Sequence, residues 1–185
     1  MSDSLSRAST PPAKNSGHPL LPAGDTIREF LAFSVGSENY ALPLSAVREI
    51  MAVPPITEVP RAPAAVMGIV SVRGRVTTVL DARRRLSMGP TKLSSMSRLL
   101  LVACGQETMG LVVDRILQVF RLSEDQVEHS AKIGSDTADH IVGVGRAASR
   151  PSPLGTQGRR PLVQAPDEED LLLLILLDPD LLIRD

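Results

Sequence analysis

Aromatic side chains are scarce in this sequence. Only 2 % of the 185 residues are aromatic, and tryptophan is absent. The four aromatic residues are Phe30, Phe33, Tyr40 and Phe120. Hydrophobic residues still make up 43 % of the chain, which is ordinary for a globular domain, so the core must be built mainly from Val, Ile, Leu and Met. Because small barrels bind single-stranded nucleic acids by stacking bases on aromatic side chains, we expect no nucleic-acid partner.

Cysteine and long apolar runs are also nearly missing. The single cysteine, Cys104, follows the apolar run 99–103 and is interpreted as a small buried core residue. It excludes a disulfide framework within one chain, which is typical of a reducing compartment. The longest apolar run, 171–177, has seven residues, whereas a membrane span needs about 20. No apolar segment of signal-peptide length opens the chain, so we expect a cytoplasmic protein without membrane insertion.

Known catalytic and metal-binding patterns are missing as well. The three histidines, His18, His129 and His140, are isolated and show no ligand spacing with each other or with the cysteine. There is no glycine-rich phosphate loop and no Gly-x-Ser-x-Gly nucleophile motif. The sequence therefore predicts a protein that is not an enzyme and has neither a metal nor a cofactor.

Charge is balanced overall but unevenly distributed. The formal net charge of −1 gives no general attraction to nucleic acids or acidic membranes. Between residues 59 and 98, however, eight basic residues stand against a single acid, Asp81. The basic residues are Arg61, Arg73, Arg75, Arg83, Arg84, Arg85, Lys92 and Arg98. This pattern predicts a basic surface on one side of the molecule, whose partner would be acidic.

Composition divides the chain into a tail and one domain. Residues 1–27 are rich in Ser, Pro and Ala and are predicted to be disordered. From residue 28 onward, nine or ten short apolar segments are separated by turn residues, which is typical of small barrels or a sandwich. Residues 147–170 are polar and proline-rich and are interpreted as a long loop. The run 171–177 is predicted to be a fully buried strand.

Several short helices are also expected. Apolar spacing at Leu44, Val47 and Ile50 indicates a helix with Ser45 as its N-cap. The segment 61–68 is interpreted as a turn of helix that ends at Gly68. Residues 81–86 are interpreted as a short polar helix or a turn, and Ser123 with Gln126 has the spacing of a capping box. A C-terminal helix should begin with Asp178 as N-cap and Pro179 at its first position.

The segment 68–85, GIVSVRGRVTTVLDARRR, alternates like a strand, breaks at Arg73-Gly74 and resumes as a second strand. Glycine at a chain reversal supplies the backbone freedom that a tight turn requires. Arg73 then has two interpretations. It is either a structural ion-pair partner on a solvated hairpin or a binding residue held at the reversal.

Motifs in the same order identify a resemblance to the CheW family, the coupling proteins of bacterial chemosensory arrays. They are EFLAFSVGSENYALPLSAVREI, ITEVPRAPAAVMGIVSVRGRVTTVLDAR, GLVVDRILQV, IVGVGR and LLILLDPDLL. The resemblance covers residues 28–183, interrupted by the 147–170 loop. It implies a mainly β fold with two small five-stranded SH3-like β-barrels packed together, short helices and a C-terminal helix. It places a single CheW-like domain over residues 28–185.

The resemblance also implies two protein partners. CheW-like proteins are scaffolds without catalytic activity that bind the regulatory domain of a CheA-type histidine kinase and the cytoplasmic hairpin tip of chemoreceptors. By resemblance, Arg73 belongs to the receptor-facing groove together with Val47 and Glu49. For Val47, simple core packing is an equal alternative. The expected location is the cytoplasm, at membrane-associated or cytoplasmic chemosensory arrays.

Further residues correspond to other parts of the family pattern. Val66 and Gly68 match a patch that meets the kinase in the family, although a helix C-cap also explains Gly68. Gly74, Gly110 and Asp114 match positions with a structural role in turns. The resemblance implies no metal or cofactor site at any of these residues.

The sequence departs from the family pattern in three places. Ser71 stands where the family signature has Asn, Thr78 replaces a usual proline, and the 147–170 loop is longer than expected. An alternative is therefore a CheV-like or receptor-independent module of the same fold that binds the kinase only. A barrel enzyme or nucleic-acid binder would instead show a bound cofactor or a steep salt dependence with oligonucleotides.

Overall fold

The computed structural model describes residues 27–129, 140–148 and 171–183. These residues form strands β1 (Arg28–Val35), β2 (Glu38–Pro43), β3 (Val47–Ala52), β4 (Val66–Val72), β5 (Arg75–Asp81), β6 (Arg98–Cys104), β7 (Glu107–Val113), β8 (Arg115–Leu122), β9 (Val127–His129), β10 (Ile141–Ala148) and β11 (Leu171–Leu177). Helices α1 (Ala82–Arg85) and α2 (Pro179–Ile183) are short, and two 3-10 helices cover Leu44–Ala46 and Glu124–Gln126. Within these residues, no helix is long and apolar enough to cross a membrane.

The strands form two sheets that pack on each other. One has the order β8-β1-β2-β11-β10-β9 and the other β3-β6-β7-β5-β4. Neighbouring strands are antiparallel except for the parallel pairs β2 with β11 and β5 with β7. The predicted mainly β fold of two packed units is confirmed. One sheet has six strands rather than five, because the three-residue β9 pairs with the outer edge of β10.

Three apolar clusters explain why several strands are continuous apolar runs. One lies on the six-stranded sheet and contains Phe30, Phe120, Leu122 and Leu174, among others. A second lies on the five-stranded sheet and contains Val70, Val72, Val79, Leu99, Leu101 and Val112. The third joins both sheets and α2 through residues such as Phe33, Leu42, Leu100, Leu111 and Leu182. Central strands such as β6 therefore bury both faces, which removes the usual alternation with polar residues.

The predicted helix over residues 44–51 is wrong. Only Leu44–Ala46 is helical, as a 3-10 turn, and Ser45 is not its N-cap. The following residues form β3, which pairs with β6 and alternates between half-buried and exposed positions. A short run of apolar residues fits both the spacing of a helix and the alternation of a strand. Pairing with a strand that is distant in sequence decides between them.

The predicted turn of helix before Gly68 is also wrong. Val66 already belongs to β4, and Gly68 lies inside that strand at a register shift against β5. Gly68 is therefore not a helix C-cap. The segment before it pairs with β4 through an isolated β-bridge between Thr57 and Ile69.

Two predicted boundaries at the long loop and the last strand need correction. Ala147 and Ala148 belong to β10, so the loop interpretation fails for them because they pair with β11. The rest of the predicted loop, 149–170, lies outside the described residues, as do residues 1–26 of the predicted tail. The run 171–177 is a strand, but it is not fully buried, since Leu173 is 58 % exposed.

Other local predictions are confirmed. Asp178 Oδ1 accepts hydrogen bonds from the backbone N–H groups of Asp180 and Leu181 at the start of α2. Gln126 Oε1 accepts a hydrogen bond from the backbone N–H of Ser123. The short helix after Asp81 is α1, and Cys104 is buried in the cluster between the sheets.

Candidate functional site

The turn between β4 and β5 consists of Arg73 and Gly74. Both residues have positive φ angles, 51° for Arg73 and 79° for Gly74. Two central residues with positive φ define the tight hairpin turn that matches the twist of antiparallel strands, for which Asn-Gly is the favoured pair. Gly74 meets this requirement without strain. Arg73 occupies a left-handed conformation that disfavours a side chain with a Cβ atom.

Arg73 makes an ion pair across the five-stranded sheet. Its Nη2 lies 2.9 Å from Glu49 Oε1 in β3. Strands β3 and β4 are the two edges of this sheet, so the contact requires the sheet to curl until its edges approach. The Arg73 side chain is 79 % exposed, whereas that of Glu49 is only 28 % exposed. The arginine is thus both an ion-pair partner and a freely accessible cation.

Replacing Arg73 with Asn should stabilise the fold. Asn tolerates the left-handed conformation better than Arg, and the exposed ion pair lost in the exchange contributes little. We expect Arg73→Asn to raise the free energy of unfolding by roughly 0.5–1 kcal/mol, measured by urea denaturation. Arg75→Asn, at a strand position without positive φ, is the control and should bring no gain. Equal effects of both variants would contradict the assignment of strain to Arg73.

The structure brings together the three residues predicted to face the receptor. Val47 and Glu49 are half-buried members of β3, with a register shift between them. Val47 packs against the cluster that joins the two sheets, so its core-packing role is present. Glu49 holds Arg73 through the ion pair. Their role in binding a receptor stays a prediction.

The two residues predicted to face the kinase lie nearer the other end of β4. Gly68 precedes Arg73 by five residues, a separation of roughly 16 Å along a strand. It is buried with φ of 147°, and a Cβ atom there would come within 2.2 Å of the Thr57 carbonyl oxygen. Val66 is half-buried and packs against the cluster between the sheets. Gly68 therefore permits the close approach of the 57–69 bridge, and its contact with a kinase stays a prediction.

Gly110 and Asp114 occupy positions with a visible structural role. A Cβ atom on Gly110 would lie 2.8 Å from Leu99 Cδ1 in β6 and 3.3 Å from Val79 Cγ2 in β5, so glycine leaves room for the side chains of both neighbouring strands. Asp114 Oδ2 accepts a hydrogen bond of 2.7 Å from the backbone N–H of Gly36 and lies 3.6 Å from Arg83 Nε. The carboxylate thus fixes two turns and α1 to each other.

The resolved shifts in ionisation lie in the six-stranded sheet and its flanking 3-10 helix. Burial raises the pKa of the Tyr40 hydroxyl, which donates a hydrogen bond of 2.5 Å to Glu38 Oε2. The hydrogen bond from His129 lowers the pKa of the exposed Glu124 carboxyl, and Arg28 lowers it further. Among the described residues, no three His, Cys, Asp or Glu side chains cluster as metal ligands.

Comparison with known proteins identifies the family. The family model described as the CheW-like domain matches residues 29–185. The chain belongs to the CheW-like family. This membership makes it a CheW-type scaffold protein of chemotaxis signalling.

The chain is similar to several named proteins. The CheW-like chain is 28 % identical over 109 residues to a probable chemotaxis protein CheW of Rhizobium etli, covering 59 % of this chain and 70 % of the relative. It is 31 % identical over 121 residues to the protein FrzA of Myxococcus xanthus, covering 65 % of this chain and 76 % of the relative. The crystal structure of the scaffolding protein TtCheW from Thermoanaerobacter tengcongensis superposes with a TM-score of 0.67 at 22 % identity. That match covers 85 % of this chain and 93 % of TtCheW, and it shows the shared fold.

Sequence reasoning missed two further non-glycine residues with positive φ, Arg61 and Ser87. Arg61 has φ of 63°, and the N–H of Ala62 donates to the carbonyl of Val59, 3.3 Å away. Pro60 and Arg61 are therefore the central residues of a turn whose second position normally takes glycine. The Pro60 signal was present in the sequence, but the positive φ of Arg61 could not be read from it.

Proposed function

We propose that this CheW-like chain couples the cytoplasmic hairpin tip of a chemoreceptor to the regulatory domain of a CheA-type histidine kinase. In this role it acts by binding alone, without a catalytic step or a cofactor, and works in the cytoplasm at chemosensory arrays. The observation that supports the proposal best is Arg73, an exposed arginine held at positive φ and oriented by Glu49.

The strain at Arg73 favours a binding role over a purely structural one. Unfavourable backbone conformations persist at functional sites because the surrounding structure enforces them. An exposed ion pair contributes little to stability, so the pair with Glu49 does not by itself explain why arginine occupies this turn. The pair does restrict the guanidinium at the rim of β3. A helical receptor tip lying against β3 would meet this arginine beside the apolar Val47.

The separation of the two predicted sites supports a coupling role. Val66 and Gly68 lie nearer the end of β4 at which the strand begins, whereas Arg73 follows its last residue. Two proteins can therefore contact the two regions without competing for the same residues. Gly68 would contribute through the backbone shape that it permits, since it has no side chain to offer.

Charge reversal at Arg73 tests the receptor arm. We expect Arg73→Glu to weaken binding to a receptor-tip fragment about tenfold or more, because an attractive charge becomes repulsive both to the partner and to Glu49. Binding to the kinase regulatory domain should change less than about twofold. Both affinities are measured by isothermal titration calorimetry on the purified protein, with circular dichroism confirming the fold.

Arg115→Glu is the matched control, because Arg115 is an exposed arginine at the start of β8 in the other sheet. It should leave both affinities unchanged. If Arg73→Glu weakens binding to both partners equally, or leaves receptor binding unchanged, the assigned role of Arg73 is contradicted. If the wild-type protein binds the kinase domain but not the receptor tip, the chain is a CheV-like or receptor-independent module and not a coupling protein.

A further inference from the structure

The basic stretch 59–98 separates in the structure into arginines with internal partners and cations that remain at the surface. Arg83 lies 3.6 Å from Asp114, Arg85 donates to the Leu182 carbonyl, and Arg98 donates to the carbonyls of Ser95 and Ser97. Arg73 is paired with Glu49. Arg84 is 40 % exposed, but its Nε lies 3.7 Å from Asp81 Oδ2, so its charge has an internal partner as well. Arg61, Arg75 and Lys92 are exposed.

Arg61 and Lys92 belong to segments that meet α1 at one end of the five-stranded sheet. We name these two cations, together with the exposed Val59 and Leu93, the basic end surface. Asp81, at the end of β5, connects the segments. Its carboxylate accepts hydrogen bonds from the backbone N–H groups of Arg84 and Thr91. The Asp81 backbone N–H donates to the Ala65 carbonyl at 2.8 Å, and Arg84 Nη1 donates to the Ala64 carbonyl.

These bonds fix the segments that carry the basic end surface to one another. Asp81 is only 2 % exposed and is paired with Arg84, so its negative charge is not displayed beside Arg61 and Lys92. Glu58 is the exposed acid adjacent to the 59–62 turn. Rigid presentation of charged side chains lowers the entropy lost when a partner binds.

Two further features distinguish the basic end surface from ordinary solvated charge. Arg61 keeps a positive φ of 63° at a turn position that favours glycine, and such strain persists where function requires it. Apolar side chains are exposed next to the cations: Val59 is 41 % exposed and Leu93 is 53 % exposed. Cations beside exposed aliphatic side chains match a partner segment that carries both acidic and apolar residues.

We propose that the basic end surface binds an acidic segment of a partner protein through Arg61 and Lys92, with Val59 and Leu93 supplying apolar contacts. The surface lies at the opposite end of β4 from Arg73 and adjoins Val66 and Gly68. Its test uses a synthetic peptide, so its outcome is separate from that of the test for coupling. The complementary partner is a peptide with repeated Glu or Asp and interspersed Leu. Nucleic acid shares the negative charge but would leave the two aliphatic side chains uncovered.

The test titrates the full chain with a fluorescein-labelled peptide of about twelve residues that repeats Glu-Glu-Leu. Binding is followed by fluorescence anisotropy, and the contacts are mapped by amide chemical shifts in NMR spectra. We expect saturable binding that weakens with rising salt, with shift changes confined to residues 58–65, 83–86 and 91–93. The double variant Arg61→Glu/Lys92→Glu should raise the dissociation constant about tenfold or more.

Three controls make the outcome decisive. Arg115→Glu should leave peptide binding unchanged, Glu58→Gln should strengthen it about twofold, and a Lys-Lys-Leu peptide should not bind. Absence of binding to the acidic peptide, or an affinity unaffected by Arg61→Glu/Lys92→Glu in a protein that retains its circular dichroism spectrum, would overturn the proposal. Tighter binding of an oligothymidine probe than of the peptide, lost in the same double variant, would also overturn it in favour of a phosphate ligand.

Discussion

Gly68→Ala is expected to lower the free energy of unfolding by about 3 kcal/mol or more. The new Cβ atom would lie 2.2 Å from the Thr57 carbonyl oxygen and 2.8 Å from Ile56 Cγ2, so the backbone before β4 must move away. Movement disrupts the two hydrogen bonds between Thr57 and Ile69, which measure 2.9 and 2.8 Å. It also withdraws Ile56 from the apolar cluster on which it packs. Urea denaturation measures the loss as a lower transition midpoint.

Gly74→Ala separates this steric effect from backbone strain. Gly74 also has a positive φ, 79°, but nothing lies within 4 Å of the position that a Cβ atom would occupy. Its replacement should therefore cost only the strain of a left-handed residue, about 1–2 kcal/mol. If Gly68→Ala proves no more destabilising than Gly74→Ala, close approach of the 57–69 bridge does not explain the glycine in β4.

Asp81→Ala is expected to lower the free energy of unfolding by about 3–5 kcal/mol. The Asp81 side chain is 2 % exposed and accepts hydrogen bonds from the backbone N–H groups of Arg83 and Arg84 at the start of α1. It also accepts hydrogen bonds from the backbone N–H and the hydroxyl of Thr91, at 2.8 and 2.5 Å. Removing the carboxylate leaves these donors without their acceptor in a site that water reaches poorly, which makes the loss large.

Asp178→Ala provides the comparison within the same chain. Asp178 also caps a short helix through two backbone N–H groups, but it is only half-buried and contacts no second segment through those bonds. Its replacement should cost about 1 kcal/mol, the usual value for a helix N-cap. Both variants are measured by urea denaturation under identical conditions. Similar losses for the two would show that Asp81 acts only as a cap and does not connect α1 with the segment at Thr91.

Local patterns predicted much of the fold correctly because the responsible contacts are local. The hairpin at Arg73-Gly74 was predicted from alternation and a glycine, and both are properties of adjacent residues. The N-cap at Asp178 and the capping box of Ser123 and Gln126 were predicted because each involves residues within three positions of one another. The prediction failed for 44–51 because apolar residues at Leu44, Val47 and Ile50 fit a helix as well as a strand. Pairing with β6, about fifty residues away, decided in favour of the strand.

In the candidate site, too, the sequence indicated individual residues but not the contacts between distant ones. The sequence identified Arg73 and, by family resemblance, Glu49 and Val47. It did not predict that Arg73 and Glu49, 24 residues apart, form an ion pair, since that contact depends on curling of the five-stranded sheet. It also gave no indication that Arg61 has a positive φ or that Asp81 unites three segments beneath the basic end surface.

By itself, the sequence determined the class of protein and its family. Short apolar segments separated by turn residues indicated a mainly β chain, and the resemblance of its ordered motifs to the CheW family indicated the family. Both are properties of residue order, which does not depend on contacts between distant segments. Only the tertiary structure decided which charges stay at the surface and which are used internally. That outcome depends on non-local packing: Arg83, Arg85 and Arg98 find internal partners, whereas Arg61, Arg73 and Lys92 remain exposed. Contacts between distant segments form only once the sheets close, so no spacing within the sequence encodes them.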